Sequence, residues 1–231
     1  MIGILYGPKW FYGMDLIIDV FSVIVLLLIG YFSIKNYKLS GKNKNHLWIS
    51  GSFFLLALGA LFDILTNFTI YYRTLITKEI GLLTLTYQGF VQSNLLYIIG
   101  ITGYKILTLI GLYLLFMLYK KNKSPLDFVI TTYLLLVSVY FVHLGYLFNI
   151  TASLLLMSIT YEYFVTYKKN KHPNTKLLAC SFGIITLSHI FSIFLKSESL
   201  IYVSAESIQL IGYSLLLFTF IKVLKNAKKA R

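Results

Sequence analysis

Seven side chains capable of chemistry lie where polarity is costly. Asp19, Asp63, Asn67, Lys105, His189, Glu206 and Gln209 interrupt long runs of Leu, Ile, Phe and Val. An ionisable group near a bilayer centre costs about 2.5–3.5 kcal/mol even on lenient scales, so it turns toward a bundle interior and finds partners there. Three kinds of chemistry are open to this set. Lys105 with Asp63 or Asp19 can form a buried ion pair that fixes helix register. Converging polar groups can line a pocket for a small ligand or a partner helix, and carboxylates with a histidine can pass protons.

Helical spacing gathers these residues onto faces, because positions three, four and seven apart lie together. Asp15, Asp19 and Ser22 share one face, as do Gly59, Asp63 and Asn67. Thr102, Lys105 and Thr108 form a third face, and Glu206, Gln209 and Tyr213 a fourth. Counted from the basic helix ends, Asp19, Asp63, Lys105 and Glu206 come out about 21–24 Å deep and His189 about 18 Å deep. Five helices thus contribute one polar stratum in the outer half of a membrane. Residues 23–30 and 109–117 beneath it carry no charge, which predicts a pocket open to the outside and closed from below. Asp15 is expected at the outer headgroups, hydrated. His189 is expected to be a hydrogen-bonded structural histidine, and His46, His143 and His172 to be solvated.

Other chemistry is missing from the pattern. Intramembrane metal hydrolysis needs several His, Asp or Glu converging on one ion, and only His143 and His189 approach the interior, on different helices. No nucleophile elbow, phosphate-cradling loop or Cys and His pair is present, and Glu162 and Tyr161 lack catalytic companions. Neither an enzyme nor a cofactor is implied. Cys180, the lone cysteine, allows no internal disulfide. A retinal protein would carry its Schiff-base lysine on the seventh helix, where Glu206 and Gln209 stand. Met117-Leu-Tyr-Lys closes the third helix without the acidic-Arg-aromatic motif of G-protein-coupled receptors.

The elements that must position the polar stratum follow from composition. The 231 residues are 58% hydrophobic and 13% charged, with mean hydropathy +0.76, as an integral membrane protein requires. Roughly 20 apolar residues cross a bilayer core, and the chain supplies seven such stretches: 15–34, 47–71, 95–119, 125–143, 147–167, 177–195 and 200–221. The fold expected is all-α, one seven-helix transmembrane bundle over 1–231. Met1 to Gly30 has no basic leader or cleavage site and reads as a retained helix. Pro8, Pro125 and Pro173 fall outside span interiors, so no proline kink is expected. The connection 72–94 reads as a mixed outer segment, lying in the interface or folded over the helix ends.

Net charge of +13 would suggest nucleic acid in a soluble chain, but its placement does not. Sixteen basic residues fall on one side of the seven spans, in the clusters 35–44, 120–123, 168–176 and 222–231. Only Lys9, Arg73, Lys78 and Lys196 fall on the other. Basic loops stay in the cytoplasm, which puts the N-terminus outside and the C-terminus inside a multi-pass cell-membrane protein. Anionic headgroups of the cytoplasmic leaflet are the implied partner, with no nucleic acid. Trp10 and Trp48 suit opposite headgroup levels. The triplets starting at Asn67, Asn122 and Asn149 match a glycosylation pattern but lie in spans or a cytoplasmic loop, so they read as coincidental. Gly103 and Gly111 share a face suited to packing within the bundle or to a dimer contact.

Asp15-Leu-Ile-Ile-Asp19, the stretch Tyr31 to Ser40 and the stretch Asp63 to Asn67 resemble the small uncharacterised seven-helix membrane proteins of archaea. The resemblance covers mainly the first two helices and implies a membrane-embedded bundle without an assigned activity. The function expected is non-enzymatic, receptor-like or sensor-like. The tail after Ile221 is about ten residues, so output would pass to a separate membrane or cytoplasmic signalling partner. The alternatives are an ion- or proton-coupled carrier or channel, and a structural subunit of a membrane complex.

Overall fold

The computed structural model describes residues 8–11, 13–39, 44–70, 73–80, 83–90, 94–119, 129, 131–133, 136, 145–194 and 199–229. Within these are six long helices: α1 (Met14–Leu39), α2 (Lys44–Ile70), α3 (Asn94–Tyr119), α4 (Gly145–Asn170), α5 (Pro173–Ile193) and α6 (Ser199–Lys229). They correspond to the first, second, third, fifth, sixth and seventh expected spans. The fourth, 125–143, lies outside the described residues except at 129, 131–133 and 136. Several helices outrun the apolar stretches that announced them. The 31 residues of α6 extend about 46 Å, because helical hydrogen bonding continues through lysines and asparagines once the apolar part is wound.

Five of the six are long and apolar enough to cross a membrane: Met14–Lys38, Lys44–Thr66, Ile98–Tyr119, Pro173–Ile193 and Ser199–Val223. The sixth, α4, is long enough but more polar, and its polarity is turned inward. Thr151 and Ser153 are buried, while Ile150, Leu154, Met157, Tyr161 and Phe164 form an exposed apolar stripe. The same inversion holds elsewhere: Ile17, Ile24, Leu58, Leu65 and Phe218 are exposed while Asp19, Ser22, Lys105 and Ser188 are buried. A soluble domain does the reverse. Many inner hydroxyls satisfy themselves on the carbonyl one turn back, as Ser22 does on Ile18 at 2.8 Å and Thr186 on Phe182 at 2.7 Å. That device spares a hydroxyl where water is scarce.

The helices pack in sequence, α1 on α2, α2 on α3, α3 on α4, α4 on α5 and α5 on α6, and α6 closes the ring on α1. Ser50 at the start of α2 donates to the Gly30 carbonyl near the end of α1 at 2.8 Å, so those two are antiparallel. In contrast, α3 and α4 run parallel: Tyr104 meets Phe148 and Tyr119 meets Tyr163 at ring separations of 5.0 and 4.6 Å. Parallel too are α1 and α6, joined near their N-termini by Tyr202 and Asp15. These directions bring Lys35, Lys38, Lys44, Lys168, Lys169, Lys176 and Lys222 to one end of the bundle, termed here the basic end. The turn from α4 to α5 is also there. Lys171 adopts φ 50°, its N–H reaches the Tyr167 carbonyl at 2.7 Å, and Pro173 opens the next helix.

At the opposite end two strands join the helices. Residues following α2 form an antiparallel hairpin of β1 (Arg73–Ile80) and β2 (Leu83–Phe90). The run Leu83-Thr-Leu-Thr-Tyr87 alternates with period two, the signature of a strand, so the segment expected to be mixed has a regular structure.

Candidate functional site

Side chains from all six helices meet around one interior cavity of about 20 Å³, room for about one water molecule. Leu26 of α1, Phe53 and Leu56 of α2, Thr108 and Leu112 of α3, Leu156 of α4, Phe182, Ile185 and His189 of α5, and Tyr213 and Leu216 of α6 line it. This point defines the inward face of each helix. Seven residues, two helical turns or about 10 Å, separate each of five lining residues from a polar one away from the basic end. The pairs are Leu26 and Asp19, Leu56 and Asp63, Leu112 and Lys105, Leu156 and Asn149, and Tyr213 and Glu206. The polar stratum is therefore an inward-facing layer, with His189 at its lower edge.

Within the layer Asp19 is 6% and Lys105 3% exposed, whereas Asp63, Glu206 and Gln209 are half-buried. Asp15, Asp19, Asp63 and Glu206 lie within electrostatic range of one another. They do not converge tightly enough for metal: among the described residues no group of three or more His, Cys, Asp or Glu could hold an ion. One oxygen of Glu206, Oε2, is enclosed without a hydrogen-bond donor among the described residues. Asn67 belongs to α2, but its side chain lies outside the described residues.

Asp15 is not hydrated as its position near the helix start suggested. It is 7% exposed: Oδ1 accepts the N–H groups of Gly13 and Leu16 at 3.0 and 2.9 Å, and Oδ2 accepts the Tyr202 hydroxyl at 3.1 Å. A short 3-10 turn, Lys9–Phe11, sets Phe11 edge-on against Tyr202, which covers the carboxylate. One turn below this contact on each helix stand Asp19 and Glu206.

The other side of the layer is neutral. His189 Nδ1 donates to Asn149 Oδ1 at 3.2 Å, and Asn149 Nδ2 donates to the Ser192 carbonyl at 3.1 Å. Ser188 makes a longer contact, 3.4 Å, to Gln209 Oε1. His189 thus links α5 to α4 through a hydrogen bond. Asn149 escaped sequence reasoning because its triplet invited comparison with a glycosylation site. Its better signal was its place seven residues before Leu156 on an otherwise apolar face.

Glycine brings α2 and α3 close enough to set Asp63 and Lys105 at one level. A Cβ on Gly59 would stand 2.6 Å from Thr108 Oγ1 and 3.3 Å from the Tyr104 carbonyl, and one on Gly111 would stand 3.0 Å from the Ser52 carbonyl. Gly103 faces the Phe62 ring and Gly100 faces Thr66. Packing within the bundle, not a dimer contact, therefore occupies the Gly103 and Gly111 face.

The small cavity meets the layer at its lower edge, through His189. The larger concavity, about 350 Å³, is a surface groove between α3 and α4 toward the basic end, lined by Phe116, Met157, Ser158, Tyr161 and Glu162. It lies away from the convergent polar groups, so its size does not make it the site. Compared with protein-family models, with curated proteins and with solved structures, the chain finds no match.

Proposed function

We propose that this chain is a non-enzymatic, receptor-like or sensor-like protein of the cell membrane, with seven spans, its N-terminus outside and its C-terminus in the cytoplasm. The observation that carries the reading is the polar layer, drawn from five helices and stacked above an almost completely filled apolar interior. Val25, Ile29, Leu115 and Ile159 are fully buried beneath it. An ion entering from the layer would meet that dry plug, whereas a polar or amphipathic ligand bound by the outer half would only need to shift helix ends. Lys105 paired with Asp63 or Asp19 holds the layer together in this reading.

The fourth span, which brings the total to seven, is supported by helix direction. Because α3 and α4 are parallel, the chain must return from Tyr119 to Gly145 across about 27 Å of bundle, close to one bilayer core, and 125–143 is apolar enough to do so. The outward N-terminus is supported by the gathering of lysines at one end. The resemblance to small archaeal seven-helix proteins belongs to this proposal and concerns the fold alone. Signalling through a separate partner completes it.

Two measurements test the reading. In a Cys180→Ser background, Lys42→Cys and Asn122→Cys resist an impermeant thiol reagent in intact cells while Glu198→Cys labels; labelling of Lys42→Cys reverses the orientation. Purified protein in liposomes passes no protons or cations above empty vesicles. A proton-coupled carrier is the second reading, favoured by four carboxylates in mutual range and by a Glu206 oxygen with no donor among the described residues. Flux abolished by Asp63→Asn or Glu206→Gln would put it first.

A further inference from the structure

The hairpin between α2 and α3 has two unlike faces. Its register pairs Ile80 with Leu83, Lys78 with Leu85 and Ile76 with Tyr87, which places those six on one face. The other face holds Arg73, Thr77, Glu79, Thr84, Thr86 and Gln88, with Leu75 and, at the base of the hairpin, Phe90 the apolar exceptions. A two-stranded ribbon cannot cover one of its own faces and is marginal alone in water, so an apolar phase has to be supplied. Two residues separate α2 from β1 and three separate β2 from α3. These links keep the base of the hairpin within about 10–14 Å of the two helix ends, while each strand is about 27 Å long. Leu58, Leu61 and Leu65 on α2 and Ile98 and Ile99 on α3 are exposed, so a lipid-facing surface runs toward the tethers.

We propose that the hairpin is a membrane-surface anchor, lying along the headgroup region with the Ile76, Ile80, Leu83, Leu85 and Tyr87 face against lipid and the threonine-rich face toward water. The bilayer is the one extended apolar phase always within reach of so short a tether. Lys78 and Tyr87, the two exceptions on this face, are of residue types common at the headgroup level. Because the links are short, the anchor ties the outer ends of α2 and α3, the helices of Asp63 and Lys105, to the lipid surface. The choice of the outer leaflet rests on the orientation proposed above; the lipid-facing pattern does not.

Spin labels test it in the full-length Cys180→Ser protein, reconstituted in mixed phosphatidylcholine and phosphatidylglycerol vesicles. Leu83→Cys, Thr84→Cys, Leu85→Cys and Thr86→Cys are labelled in turn and exposed to dissolved oxygen and to a water-soluble nickel chelate. A period of two is expected, with the oxygen-to-nickel ratio several-fold higher at 83 and 85 than at 84 and 86. Leu85→Asp should lower the ratio at 83 to that at 84 while helix content is unchanged. Equal, high nickel access at all four positions overturns the anchor. Spin broadening that grows with protein density assigns the face to a second copy, and protection from both reagents at 83 and 85 assigns it to the helix ends; both outcomes also overturn it. Impermeant labelling of Thr84→Cys reports the leaflet separately, so a wrong orientation and a wrong anchor give different results.

Discussion

The two sides of the bundle solve one problem differently. Lipid is as apolar as leucine, so helices in a bilayer gain little from hydrophobic association and rely on close packing and interhelical hydrogen bonds. On the side of α2 and α3, glycine removes the side chain, and backbone and side chain meet at Gly59, Gly100, Gly103 and Gly111. On the side of α4, α5 and α6, polar side chains bridge: Asn149 to His189 and Ser192, and Ser188 to Gln209. Gly212, facing Ile185, repeats the first device there. The ionisable groups Asp63 and Lys105 sit on the tightly packed side, where little room remains to hydrate a stranded charge. Neutral Asn149, His189, Ser188 and Gln209 bridge the other side, where ionisable Glu206 on α6 is the exception.

The largest effect expected from breaking this contrast is at Lys105. Stranding one member of a buried pair costs about 3–5 kcal/mol in soluble proteins, so Lys105→Met should lower stability in bicelles by an amount of that order. Adding Asp63→Asn or Asp19→Asn should recover part of the loss. Purely additive losses in both cycles would show that neither carboxylate is the partner.

Next in size is the glycine seam. Gly59→Val drives a branched side chain into Thr108 and the Tyr104 carbonyl, and overpacking of this kind costs about 1–3 kcal/mol. Gly51, on the same helix, has nothing within 4 Å of a built Cβ, so Gly51→Ala should instead stabilise by up to about 1 kcal/mol through helix propensity. Equal losses at both positions would mean that close approach is not what joins α2 to α3. The bridged side should be gentler, since hydrogen bonds between membrane helices average about 0.6 kcal/mol and rarely exceed 1.7. Asn149→Leu should fall in that range, and His189→Leu added to it should cost little more because the shared bond is already gone.

Much of this arrangement was legible in the sequence because hydropathy and helical period report on burial. Apolar runs located the described helices, and helical rise counted from the basic ends predicted that Asp19, Asp63, Lys105 and Glu206 share a level. Hydropathy measures the apolar slab and not hydrogen bonding, which is why α1 and α6 extend beyond 34 and 221. Asp15 was misjudged because a helix start looks hydrated until Tyr202, 187 positions away, and Phe11 cover it. Asn149 was hidden by a local triplet, and the hairpin by attention to composition where the alternation of leucine and threonine was the informative feature. An open pocket was inferred from polar convergence alone, and convergence does not by itself specify empty volume; the cavity at the layer's lower edge, near His189, is small.

The smallest predicted effect concerns the turn that fixes α4 against α5. Lys171 holds φ 50°, a conformation that costs an L-residue with a Cβ about 1–2 kcal/mol and glycine almost nothing. Part of that gain is returned because glycine also loosens the unfolded chain by about 0.4–1 kcal/mol. Replacing the lysine also removes a cation beside the C-terminus of α4, worth about 0.3–1 kcal/mol, so either single variant mixes two effects. Lys171→Ala and Lys171→Gly remove the charge equally, and their difference isolates the backbone. The glycine variant should be the more stable by about 0.5–1 kcal/mol. If the alanine variant were equal or better, the turn would not be held in the left-handed region. The register of Asn149 against His189 would then have to come from the side-chain bridges alone.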